Sequence, residues 1–198
     1  MKLSVFILLA SVLSAGSSWA ATDQSNRSTQ SEDERARAYF TDTELVTQSG
    51  EPVRFYSDIL KGKIVLVSLF FTECEGMCPT INASLAEVQE QLDDRMGRDI
   101  VLISITLDPE TDTTEVLREY AANFDTGKGW YFLTGKSAEI KTVTRKLGHV
   151  ASTPDEHTGV LILGNVATAT WTKIAPSTPP GAIVEKLKLL AEGGLAQQ

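Results

Sequence analysis

The chain has 198 residues, 26 of them acidic and 18 basic, for a formal charge of −8 at neutral pH. That acid excess argues against nucleic acid or an anionic lipid surface as a partner, and the length suits one domain once the terminal segments are set aside. There are 2 cysteines, so any thiol or soft-metal chemistry has a single pair to work with.

Residues 1–20 read as a secretory signal peptide. Lys2 supplies the positive start, Leu3 to Leu13 the apolar run, and Ser18-Trp19-Ala20 a small-x-small cleavage signal. The run is short for a bilayer span; an uncleaved membrane anchor is the alternative. Export implies a periplasmic location, where disulfides persist. Residues 21–38 are rich in Ser, Thr, Gln and Asp and read as a flexible linker, and the folded domain is expected over 39–198.

Within that domain strand-like and helix-like patterns alternate. Val53 to Tyr56 reads as a short strand and Gly62 as a turn. Ile64 to Phe71 is apolar and β-branched, which predicts a buried strand, and Pro79 to Met96 carries Ile81, Leu85, Val88 and Leu92 at helical spacing. Ile100 to Leu107 reads as a second buried strand, followed by a helix to Phe124 that begins at Asp112 or Thr113, with Thr113 or Thr114 as N-cap. Trp130 to Leu133 is a strand, and Ser137 to Leu147 a helix capped by Ser137 and ended by Gly148. Val160 to Leu163 and Ala167 to Lys173 flank Gly164-Asn165, which reads as a hairpin turn, and Pro179 to Ala191 is a terminal helix. The alternation predicts an α/β fold: a thioredoxin-like three-layer α/β/α domain with a central mixed sheet, a C-terminal hairpin and a terminal helix.

Both cysteines lie in Thr72-Glu73-Cys74-Glu75-Gly76-Met77-Cys78-Pro79, between the first buried strand and its helix. In α/β proteins chemistry gathers at the carboxyl ends of strands. Proline is tolerated in a first helical turn, which places Cys78 at or beside the N-cap, where helix amides favour a thiolate. A disulfide closing so short a loop adds little stability, because the gain grows with loop length. The pair therefore suits switching better than stapling. Thiolates also bind Cu(I) and zinc. Glu73 and Glu75 would raise the thiol pKa values and attract a cation, which leans towards metal binding.

Two sulfurs make an incomplete metal site, and imidazole is the usual partner. His149 follows Gly148 at a helix C-terminus, which the helix dipole already explains. His157 lies in the polar loop Thr153-Pro154-Asp155-Glu156-His157-Thr158 before a strand, where functional side chains concentrate. Met77 is a further soft donor, weaker than a thiolate.

The segment Phe71-Thr72-Glu73-Cys74-Glu75-Gly76-Met77-Cys78-Pro79 resembles the T-x-C-x-x-x-C-P signature of the Sco/SenC copper chaperones, assembly factors of cytochrome c oxidase. Ser104 to Thr113 is similar to that family's S-x-x-x-D-P-x-x-D-T segment, Leu133-Thr134-Gly135 to its next motif, and Glu156-His157-Thr158 to its histidine motif. The resemblance runs from about Phe55 to Leu163. It implies a thioredoxin-like fold and copper, Cu(I) or Cu(II), held by Cys74, Cys78 and His157. It also implies a partner in the CuA-bearing subunit of the oxidase or another cuproprotein, which receives copper or has its thiols reduced. Asp108 maps onto the D-P aspartate as a supporting residue. Many members have Cys-Pro-Asp-x-Cys where this chain has Cys74-Glu75-Gly76-Met77-Cys78, so an outer role for that Asp does not carry over. Members are commonly anchored in a membrane, whereas this chain reads as released.

The alternative function is thiol-disulfide exchange, with Cys74 as the redox-active attacking thiol and Cys78 resolving. A thiol peroxidase would need an arginine beside its cysteine, and Arg54 and Arg95 have no motif context.

Overall fold

The computed structural model describes residues 33–149 and 159–194. The expected signal peptide, the linker up to residue 32, His157 and residues 195–198 lie outside the described residues. The expected linker 21–38 overlaps a helix, α1, over 33–40. Its Phe40 is buried and its Ala36 packs on the core, while Asp33 accepts hydrogen bonds from Tyr56 and Lys61 at 2.7 and 2.9 Å. The mostly polar composition of 21–38 hid this turn of apolar spacing.

The remaining strands are β1 (Glu44–Thr47), β2 (Pro52–Arg54), β3 (Ile64–Phe70), β4 (Ile100–Thr106), β5 (Trp130–Thr134), β6 (Leu161–Asn165) and β7 (Thr170–Ile174). The helices are α2 (Met77–Leu92), α3 (Thr114–Ala122), α4 (Ser137–Lys146) and α5 (Pro180–Ala191). The strands form one mixed sheet in the order β2-β1-β5-β4-β3-β6-β7. β3 runs parallel to β4 and antiparallel to β6.

All seven residues of β3 and of β4 are buried, because both sheet faces are covered. Alternate side chains go to opposite cores. Ile64, Leu66 and Phe70 meet α2, α3 and α5, whereas Val65, Val67 and Leu69 meet α1, α4 and the turn Phe55–Leu60. Each fully buried aliphatic side chain contributes on the order of 1.5–3 kcal/mol. On the α2 side the sheet carries a buried polar pair, Ser68 and Ser104 with hydroxyls 3.0 Å apart, and Trp130 Nε1 donates to Ser104 at 3.1 Å.

Several boundaries differ from expectation. Tyr56 is not in a strand. β2 stops at Arg54 and a single π-type turn follows, closed by Lys61 N–H donating to the Tyr56 carbonyl at 2.9 Å. Ser137 is the first residue of α4 rather than its cap, and its hydroxyl donates to Glu110 instead. Gly164-Asn165 is not the hairpin turn but the end of β6, the turn falling at residues 166–169. Gly164 is there because a Cβ would lie 2.4 Å from the Trp171 ring across the pair. Asn165 Oδ1 caps the true turn by accepting from Ala167 and Thr168 amides at 3.1 and 3.3 Å.

Candidate metal centre

β3 delivers the chain to the middle of the sheet, and the six residues after it form the thiol loop. Cys74 N–H donates to the Phe71 carbonyl at 3.2 Å, closing a turn that lifts the sulfur back over the start of α2. Gly76 is the N-cap and the helix begins at Met77. Cys78 is thus the second helical residue and Pro79 the third, within the first turn that tolerates proline. Neither thiol is in a disulfide; Cys74 is partly exposed and Cys78 is buried, 1% accessible.

The two sulfurs exchange the roles that spacing suggested. Cys74 collects the amides of Gly76, Met77 and Cys78, whereas Cys78 accepts from its own amide and from the Phe71 backbone. Burial pushes the Cys74 thiol up, but the Cys78 thiol donating to it, with the amides of Cys78, Gly76 and Met77, outweighs burial and holds it below its ordinary value. Burial and that same donation to Cys74 push Cys78 up to about 12. Glu73 and Glu75 are exposed and do not reverse this order. The result is one partly exposed sulfur with its thiol pKa lowered and one buried thiol, sharing a hydrogen bond as two soft donors side by side.

A buried carboxylate holds this loop in place. Asp112, 0% accessible, accepts from the Thr72 amide at 3.3 and 3.2 Å and from the Thr72 and Thr106 hydroxyls. Thr106 Oγ1 accepts from Asp108 N–H at 3.0 Å, and Asp112 N–H donates to the Asp108 carbonyl at 2.8 Å. The loops after β3 and β4 are therefore tied through one side chain. Burial raises the Asp112 pKa, against the lowering by Thr106 and Thr72. Sequence reasoning passed over Asp112 as a helix start; the signal was an aspartate one residue before the N-cap Thr113, whose own hydroxyl accepts from Val116. Behind Cys78, one turn along α2, Asn82 is 1% accessible; its Nδ2 donates to the Tyr120 hydroxyl at 3.1 Å and its Oδ1 has no hydrogen-bond partner among the described residues.

His149 backbone N–H donates to the Thr144 carbonyl at 3.0 Å, closing the end of α4. Its neighbours include Leu69 and Ile162, side chains of the core away from α2. Met77 is 42% accessible and lays its thioether on Gly159, where a Cβ would come within 2.2 Å of Met77 Sδ and 3.2 Å of Ile81 Cδ1. Gly159 also has φ +63°, a conformation that favours glycine. His157 lies outside the described residues, and among those residues no group of three His, Cys, Asp or Glu side chains converges on a metal position.

A family model described as SCO1/SenC matches residues 16–192. The SCO2-like protein of Rickettsia typhi is 41% identical over 103 residues, 52% of this chain and 48% of that protein. The chain spans about half the length of the curated relatives it matches. Among solved structures, BsSco, described as a member of the Sco family of cytochrome c oxidase assembly proteins with a disulfide switch, is 25% identical with a TM-score of 0.65, over 77% of this chain and 93% of that one. The copper-bound ScoI of Bradyrhizobium japonicum is 25% identical with a TM-score of 0.63, over 75% and 96%. The expected thioredoxin-like α/β architecture is the one these structures share.

Proposed function

This chain belongs to the SCO1/SenC family, and on that premise we propose that it is an exported copper carrier that binds the metal through Cys74, Cys78 and His157. Copper is cargo here, passed to an acceptor such as the CuA-bearing subunit of cytochrome c oxidase. The observation that carries the reading is the hydrogen-bonded thiol pair at the end of β3, beside the point where the chain re-enters after His157. Gly159 packs on Met77, the residue before Cys78. His157 is two residues upstream of Gly159, and two residues span at most about 7 Å, which bounds how far it can depart from this point. The copper-bound ScoI relative and the assembly role in the description of BsSco point the same way.

The chain's own groups divide the work. Cys74, its thiol pKa lowered, gives up its proton more readily, Cys78 gives up its buried proton when the cation arrives, and Asp112 fixes the loop. The test is competition of the reduced protein with a Cu(I) chelator. One equivalent should be retained, lost in Cys74→Ser and weakened strongly in His157→Ala. Unchanged retention in both variants overturns the reading.

One observation favours thiol-disulfide exchange as a second activity: an accessible low-pKa sulfur backed by a buried thiol. Cys74 thiolate would attack a partner disulfide and release one partner thiolate. Cys78, losing its proton, would then attack the mixed disulfide, leaving Cys74–Cys78 oxidised and the partner reduced. Retained disulfide reduction in His157→Ala without copper supports this activity; its loss there argues against it.

A further inference from the structure

On the sheet face away from the thiols, we propose a binding site for a small amphipathic anion, in a cavity of about 680 Å³ between α1, the end of α4 and the β6–β7 hairpin. The volume falls in the range of small-molecule sites. Tyr39, Phe40 and Trp171 build its apolar wall as a continuous run of rings, with centroids 4.9 Å apart between Tyr39 and Phe40 and 5.1 Å between Phe40 and Trp171. Lys146 and Lys173 supply its charge, and among the described residues no acidic side chain lines it. That bias stands out in a chain with 26 acidic and 18 basic residues.

The wall is braced from both sides. Tyr39 hydroxyl donates to the Lys146 carbonyl at 2.9 Å, and Lys146 Nζ sits 4.8 Å above the Tyr39 ring. Aromatic rings beside ammonium groups match a ligand with an apolar body and one anionic head. Phe40 and Trp171 belong with the core on that face, whereas Cys74 and Cys78 belong with the other, so the occupant does not touch the thiols. The free molecule fits better than a membrane, since the net negative charge opposes an anionic bilayer.

Decanoate is the probe, with decanol as its uncharged counterpart, titrated into the full chain by calorimetry. Saturable one-to-one binding of decanoate is expected, with decanol about tenfold weaker or more, in line with the strength of hydrogen bonds to charged groups. Lys146→Glu and Lys173→Glu should each weaken decanoate by about tenfold, Lys173→Glu while leaving decanol unchanged, and Trp171→Ala should weaken both ligands. Circular dichroism checks that each variant is folded, and the two lysine variants keep the test decisive if Trp171→Ala is not. Absence of saturable binding, equal affinity for decanol, or indifference to both charge reversals overturns the proposal. So does cosedimentation with phosphatidylglycerol vesicles, or self-association that Trp171→Ala abolishes, in place of decanoate binding.

Discussion

At Cys74 and Cys78 one hydrogen bond acts in opposite directions, lowering the acceptor sulfur and raising the donor. Iodoacetamide labelling against pH should therefore show Cys74 reacting with a midpoint below the ordinary thiol value of about 8.5, and Cys78 silent until the protein unfolds. Cys78→Ala removes the donor and should move the Cys74 midpoint upward; a midpoint that stays or falls contradicts the assigned roles. Asp112 makes a second residue-scale case. In Asp112→Asn the amide NH₂ meets the Thr72 N–H or a threonine hydroxyl, so one buried donor goes unpaired at a cost of about 1–3 kcal/mol, read as a lower urea midpoint. Because burial raises the Asp112 pKa in the folded state, the wild-type penalty is fully present above the folded value and lifts as pH falls from there towards the unfolded pKa. The deficit of Asp112→Asn relative to wild type should accordingly widen on acidification towards that value. The thiol pair was legible from its spacing, but which sulfur folds back over the helix amides was not, since spacing fixes the helix start only to within a residue or two.

Among elements, buried strands β3 and β4 were legible because unbroken β-branched runs have few other places to go. β1 was missed: Glu44–Thr47 is four residues with two buried side chains, too short to carry a period. The hairpin was misplaced because Gly164-Asn165 has turn composition while the structure uses the glycine for the approach of Trp171. Gly159 shows the same use of glycine beside the thiols. Gly159→Ala meets both a positive φ, about 1–2 kcal/mol for a residue with Cβ, and the Met77 thioether, about 1–3 kcal/mol of overpacking. A double-mutant cycle with Met77→Ala should recover the second part and leave the first. Strict additivity in urea unfolding would show that the Met77 contact is not what constrains this re-entry point.

For the whole molecule, sheet order does what sequence distance conceals. β6 pairs antiparallel with β3, Ile162 opposite Val67, so the chain that follows His157 enters the sheet at the end where β3 leaves for the thiol loop. Copper ligation across that junction, as proposed, would tie two distant stretches together. Copper held at about 100 times its dissociation constant should raise unfolding stability by about 2.7 kcal/mol, and Cys74→Ser should show none of that gain. The most direct measurement is the absorption and electron spin resonance spectrum of the stoichiometric Cu(II) protein. Intense sulfur-to-copper charge-transfer bands, lost in Cys74→Ser and shifted with altered nitrogen hyperfine structure in His157→Ala, are the predicted result. A Cu(II) spectrum without charge-transfer bands, identical in wild type and both variants, contradicts a centre built from two thiolates and that imidazole.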